Sequence, residues 1–336
     1  MLSVLTFSWN SIAPILLLIL LGYYGRQSGM LDAATLKKIN RFNFRFGFSA
    51  LMFVNLYDMG TGGDLPWRLI ALILITLVLL TAIGWLLAET MTAVRSRKAV
   101  LIMSAFRSNY AIIGLPLAEA LAGRGGLEIG TILQLPTVLY FNIVSTLVLS
   151  FYSGSAEKTD FRKTFREIAR NPLILGLLAG GLALLIRARI PLDAEGNLIF
   201  SIAKDLPWLY TALKNLSRMA TPLALIVLGG QLELQKIQDF RKELIAGVLM
   251  RLVLCPLIGF GVAFCANAAG FVALDAGAYG MMAALFATPM AVASVVMSAE
   301  MGSDDILSGQ IVVWSSLLSM GTMFVIPAIL RTLGLV

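Results

Sequence analysis

The residues best suited to chemistry sit in two apolar stretches, each interrupted by proline. One reads Ser104-Ala105-Phe106-Arg107-Ser108-Asn109-Tyr110 and continues to Gly114-Leu115-Pro116. The other reads Leu285-Phe286-Ala287-Thr288-Pro289-Met290-Ala291. Proline removes one backbone hydrogen bond and clashes with the preceding turn. In lipid such a defect is tolerated only where protein or a water-filled cavity serves the freed groups. If both helices unwind, the half-helices after Pro116 and Pro289 each offer free N–H groups and a positive dipole end to an anion. A lone proline would be an ordinary kink. Two at matching places in a repeated chain favour paired broken helices around a midplane site.

The neighbouring polar residues suit the same chemistry. Asn109 can both donate and accept, and Ser108 and Thr288 add hydroxyls. Arg107 at membrane depth costs at least about 2.5–3.5 kcal/mol on insertion scales, so it asks for a partner or a wet cavity. The alternative is an interfacial arginine that snorkels outward, a few turns from Arg97. Arg251 in a later apolar stretch either balances a negative charge or snorkels toward the end near Arg241. Glu119, three positions after Pro116, either stabilises the first helical turn or carries a proton. Thr211, Asn215, Arg218, Thr221 and Pro222 share one helical stripe, expected to face the bundle, with Lys214 at headgroup level. No paired-carboxylate ion site stands out, so the coupling ion, proton or sodium, stays open.

The elements that must position these residues are transmembrane helices. The chain has 336 residues, 58% hydrophobic and 13% charged, with a mean hydropathy of +0.86. A water-soluble globule of this size could not hide that much apolar surface. A bilayer core needs about 20 apolar residues per helix. Ten segments qualify: 9–24, 39–57, 66–89, 99–121, 129–151, 172–186, 208–229, 244–266, 279–300 and 306–330. The first lacks a basic flank and a small-residue cleavage site, and reads as a retained helix. The remainder is short loops, with no room for a soluble domain.

The chain has no histidine, which removes His-based catalysis and His-ligated zinc. Cys255 and Cys265, ten positions apart on one helix, lie about 15 Å from each other, too far for a disulfide. No metal or cofactor is expected. Lysine and arginine concentrate in alternate loops, above all in 152–171, so that loop is expected in the cytoplasm and both termini outside. The same rule accounts for the net charge of +7, and no nucleic-acid partner is needed.

Two halves share a pattern. Ala13-Pro14-Ile15-Leu16-Leu17 opens one and Asn171-Pro172-Leu173-Ile174-Leu175 the other. Arg41 and Lys214, Arg45 and Arg218, and Pro116 and Pro289 share one offset. An odd number of helices per half forces opposite orientations, which makes an inverted repeat. The expected organisation is a first five-helix repeat over 1–151, a connecting loop over 152–171 and a second repeat over 172–336.

These motifs resemble the auxin efflux carrier family, which contains bacterial malate and malonate permeases and plant auxin exporters. The resemblance spans nearly the whole chain: Pro14 to Tyr24 with Gly29-Met30-Leu31-Asp32, Asn109 with Gly114-Leu115-Pro116, and Asn171-Pro172-Leu173-Ile174. It is strongest at Ala220-Thr221-Pro222-Leu223-Ala224-Leu225 with Leu228-Gly229-Gly230-Gln231-Leu232, and continues through Pro289, Ala299-Glu300 and Leu317-Leu318-Ser319. It implies ten helices in two inverted repeats, the fourth and ninth crossing at broken points. It implies a scaffold of helices one, two, six and seven, and a mobile part that carries an organic anion elevator-fashion. Asn109, Pro116 and Pro289 correspond to family substrate contacts, and Arg251 to a basic residue of its eighth helix.

The expectation is therefore an all-α integral membrane protein of the cell inner (plasma) membrane. It would move a small mono- or dicarboxylate, not act as an enzyme, and have lipid as its other partner. Asn109, Ser108, Thr288, Pro116, Pro289, Arg107 and Arg251 are the candidate substrate residues and Glu119 the candidate proton carrier. A homodimer is left open. Rival readings are an anion channel on the same scaffold and a sodium-coupled carrier of the bile-acid symporter type.

Overall fold

The computed structural model describes residues 2–58, 66–153, 170, 172–191, 199–231 and 238–336. The expected loop over 152–171 therefore lies mostly outside the described residues. Among those described, helices make up the fold and no named strand occurs. α1 spans Leu2–Gln27, α2 Ala33–Phe42, α3 Phe48–Tyr57, α4 Trp67–Met91 and α5 Arg95–Phe106. α6 spans Leu115–Ser153, α7 Pro172–Arg187, α8 Ile202–Asp205 and α9 Pro207–Gly230. α10 spans Arg241–Leu249, α11 Cys255–Ala268, α12 Ala276–Phe286, α13 Ala293–Glu300 and α14 Asp305–Thr332.

Among the described residues, four helical runs are long and apolar enough to cross a membrane: Trp67–Met91, Leu115–Tyr152, Gln238–Ala268 and Asp305–Thr332. Three π-helical turns join helices that would otherwise read as separate or uniform. Asn43–Gly47 links α2 to α3, Tyr110–Gly114 precedes α6, and Met250–Leu254 links α10 to α11. α6 changes direction at Ala122 and Gly123, where Gly123 takes φ 60°. Asp32 caps α2, accepting the Thr35 N–H at 2.6 Å, and these hydrogen bonds hold its carboxyl below the usual carboxylate range.

Two of the ten apolar segments are interrupted by non-helical residues. Segment 99–121 is interrupted at Arg107–Asn109, between α5 and the π turn, and segment 279–300 between α12 and α13. Pro116 is not where the first interruption lies. It lies seven residues beyond Asn109, directly after the π turn Tyr110–Gly114.

Helices α1, α3, α7 and α9 pack on one another, and small residues let their backbones touch. A Cβ on Gly229 would lie 1.8 Å from the Ile19 carbonyl oxygen, and one on Gly22 would lie 1.9 Å from that of Ile226. Gly176 and Gly180, a small-xxx-small pair on α7, lie against the backbone of Ser49 and Phe53 on α3. Two side chains reinforce this group: Asn43 donates to the Ala220 carbonyl at 2.7 Å, and Ser49 to that of Pro172 at 2.9 Å. On the outer face of α7, Leu178, Leu182 and Leu185 are exposed, as lipid-facing side chains would be.

The close approach gives a stability prediction. Gly229→Ala is expected to abolish the monodisperse peak on size-exclusion chromatography in detergent or to lower the melting temperature sharply, because the backbone of α1 cannot yield. Gly321→Ala, where a Cβ meets nothing within 4 Å, is expected to behave as wild type.

Candidate functional site

The site is built where the two interruptions meet. At the first, α5 ends at Phe106, and Arg107 adopts an extended backbone with φ −84° and ψ 91°. At the second, α12 ends at Phe286 and the chain resumes helix at Ala293. The two unwound segments pair antiparallel through Ser108 and Met290. Asn109 N–H donates to the Pro289 carbonyl at 2.8 Å, and Ala291 N–H donates to the Arg107 carbonyl at 3.1 Å. Pro289 has no N–H, so its backbone can only accept. Each break thus satisfies the other's freed groups, which lipid could not do.

Side chains cap what remains. Arg251, fully buried, donates from Nη2 to the Leu285 and Phe286 carbonyls at 2.9 and 3.0 Å, closing the C-terminal end of α12. Thr322 donates to the Ala287 carbonyl at 2.9 Å, and the Met290 N–H donates to Ser315 Oγ at 3.1 Å. Thr288 donates to the Ala284 carbonyl at 2.9 Å. Tyr110 anchors the π turn, its hydroxyl donating to the Gly130 carbonyl at 2.5 Å.

Arg107 is 3% exposed. Its Nη1 donates to the Phe141 carbonyl at 2.6 Å and to Ser145 Oγ at 2.9 Å, and its Nη2 to Asn142 Oδ1 at 3.0 Å. These acceptors are all neutral. Asn142 is itself fixed, donating to the Val138 carbonyl at 2.9 Å and to Met52 Sδ at 3.1 Å. The guanidinium is held in orientation, but these contacts supply no counter-charge.

A cavity of about 150 Å³ opens against this arrangement. Arg107, Ser108, Asn109 and Tyr110 form one wall, with Gln134, Val138, Phe141 and Asn142 of α6 beside them. Phe48, Leu51, Met52 and Asn55 of α3 and Thr221 of α9 face them, and Ala291, Val292 and Ala293 complete the lining. No lining residue is acidic. Arg107 Nε, Ser108 Oγ and Asn109 Nδ2 are buried without a hydrogen-bond partner among the described residues. All three can donate. The helical turns beginning at Tyr110 and Ala293 border the cavity, so the positive ends of their dipoles add to its potential. The chemistry available is recognition of a negative or hydrogen-bond-accepting group. Among the described residues no group of acids or cysteines could hold a metal ion.

Of the residues nominated from sequence, Arg107, Ser108 and Asn109 line the cavity. Thr288, Pro289 and Arg251 do not; they hold the second break from behind. Pro116 and Glu119 are exposed on α6 and do not line the cavity. The break precedes Pro116 by about two helical turns, so it is residues 107–109 and not Pro116 that unwind. The stripe on α9 also differs from expectation: Thr221 lines the cavity, whereas Thr211, Asn215 and Arg218 are exposed. Lys214 pairs with Asp58 at 3.4 Å. Sequence reasoning missed Gln134, Asn142 and Ser145. Their signal was polar residues recurring at helical spacing within an apolar run.

Residues 7–327 match a family model described as membrane transport protein. No curated protein gives a match.

The Arg107 cradle can be tested directly. Asn142→Leu leaves a buried charged donor without its acceptor and should cost about 1–3 kcal/mol, read as a lower melting temperature. Adding Arg107→Met removes the orphaned charge and should recover part of the loss, a coupling visible in a double-mutant cycle.

Proposed function

The chain belongs to the membrane transport protein family, that of the auxin efflux carriers, and from that premise we propose that it is a secondary active transporter of small organic anions. The observation that carries this reading is the cavity bordered by Arg107 Nε, Ser108 Oγ and Asn109 Nδ2, three buried unpartnered donors with no acidic side chain in the lining. A carboxylate is the group that accepts from several donors and neutralises a guanidinium at once. Mono- and dicarboxylates such as malate or malonate are the substrate class.

In this reading the carboxylate lies against Arg107, Ser108 and Asn109, and the positive dipole ends of the turns starting at Tyr110 and Ala293 add to its stabilisation. Thr288, Pro289 and Arg251 serve by keeping the second break in shape. The chain is organised as ten transmembrane helices, with inverted repeats over 1–151 and 172–336. The breaks beside Asn109 and Pro289 are their counterparts, crossing near the midplane. Support comes from the antiparallel pairing of Ser108 with Met290. Transport is of the elevator type: the broken helices, with α6 and their supports, move past α3 and α9. The fit of the cavity between those two groups supports it. The protein lies in the cell inner membrane, with the basic 152–171 loop in the cytoplasm, supported by the distribution of lysine and arginine.

The test is counterflow of radiolabelled carboxylate in proteoliposomes. A charge-assisted hydrogen bond is worth about 1.5–3 kcal/mol, roughly a 10- to 100-fold change in affinity. Arg107→Gln should weaken apparent affinity by that order, and Asn109→Ala by less, in protein that still elutes as a single species. Saturation and exchange distinguish a carrier from a channel. Wild-type kinetics in both variants would remove these residues from recognition.

A further inference from the structure

The cavity that takes the carboxylate in the reading above, on which this inference rests, has one charged side chain in its lining among the described residues, Arg107. The remaining polar side chains are neutral. Ser108 and Asn109 adjoin Arg107 in the first break. Asn55 of α3 and Gln134 of α6, both half-buried, supply amides from other parts of the lining. Arg107 is tied to α6 at Phe141, Asn142 and Ser145. Gln134 lies eight residues before Asn142 on α6, about 12 Å along the helix axis. Asn55 lies nearly a turn past Met52, the residue that accepts from Asn142. The cavity thus has a cationic end and a neutral end.

We propose that the cavity selects a singly charged acid with an uncharged polar tail: a short aliphatic hydroxy or keto monocarboxylate. Its carboxylate lies at Arg107, and Gln134 and Asn55 receive the tail and set the specificity. One guanidinium and one carboxylate make the occupied site neutral, whereas a dianion leaves it with a net negative charge. The second carboxylate of a dianion would meet only neutral groups at the far end. A buried ion without a counter-charge costs more than one or two amide hydrogen bonds return. A hydroxyl or keto oxygen takes those hydrogen bonds without that penalty, since an amide can both donate and accept. The volume fits such a molecule. About 150 Å³ is the liquid volume of about five waters, room for an acid of about three to five carbons.

The test compares malonate with its monomethyl ester, which keeps the skeleton and removes one charge, and adds lactate and pyruvate. The purified protein is melted in detergent at constant ionic strength, at a pH where malonate is doubly ionised. Apparent affinities come from the rise in melting temperature with ligand concentration. In the wild type, monomethyl malonate, lactate or pyruvate should bind about 10-fold or more tightly than malonate. Gln134→Lys places a cation at the neutral end and should reverse that order. Asn55→Lys makes the same change from α3, should Gln134→Lys fail to elute as a single species. Malonate binding as tightly as its monomethyl ester overturns the proposal and leaves carboxylate recognition standing. A wild-type order of preference in both lysine variants overturns the assignment of specificity to Gln134 and Asn55. No response to any of the four acids overturns the carboxylate reading itself, and this inference with it.

Discussion

The structure depends on two backbone hydrogen bonds between segments far apart in sequence. Asn109 N–H to the Pro289 carbonyl and Ala291 N–H to the Arg107 carbonyl join the interruptions of two helices. In lipid an unsatisfied peptide group costs several kcal/mol. Either interruption alone would expose several such groups, and the helix would do better to remain continuous. The two are stable only as a pair, so the site is a tertiary object that neither half of the chain can form by itself. The surrounding caps extend the same logic. Arg251, Thr322 and Ser315 each supply or receive a hydrogen bond that the unwound chain cannot provide internally.

The two buried arginines divide the labour between shape and charge. Arg251 gives its Nη2 to the carbonyls that end α12, where a helix's negative end attracts a cation. Arg107 donates to three neutral acceptors on α6 and borders the cavity. Its neighbours fix its plane without balancing its charge, leaving Nε beside Ser108 Oγ and Asn109 Nδ2. Burying an ion without a counter-ion is expensive. An anionic ligand entering the cavity would relieve that expense, so the same feature that destabilises the empty site favours the occupied one.

Much of this was legible in the sequence, and the parts that were not share one cause. Polar residues in an apolar run, Arg107-Ser108-Asn109, mark the cavity because lipid punishes them unless something specific serves them. The break itself carries no local mark. Pro116 drew attention because proline is a local signal, but it lies seven residues past the break, just after the π turn Tyr110–Gly114. The interruption lies instead where residues 107–109 find a partner, and that partner is encoded more than 170 positions away. Arg251 shows the same limit: its charge was visible, its duty at the end of α12 was not. On α9 the periodicity gave a stripe but not the neighbour it meets, so only Thr221 of its polar members reaches the cavity.

The pattern of contacts also bears on which parts can move together. The bonds that define the site all lie within one group: Arg107 to α6, the two breaks to each other, and Arg251 to α12. The opposite wall belongs to a group locked by backbone contact at Gly22, Gly229, Gly176 and Gly180. Between the groups run side-chain contacts of a weaker kind, including Asn142 Nδ2 to Met52 Sδ at 3.1 Å and Asn40 Nδ2 to Glu300 Oε1 at 3.1 Å. Sulfur is a weak acceptor, and an amide–carboxylate bond that nears the surface exchanges readily with water. Sliding one group past the other would therefore cost little in hydrogen bonds, whereas separating the two breaks would cost the site itself.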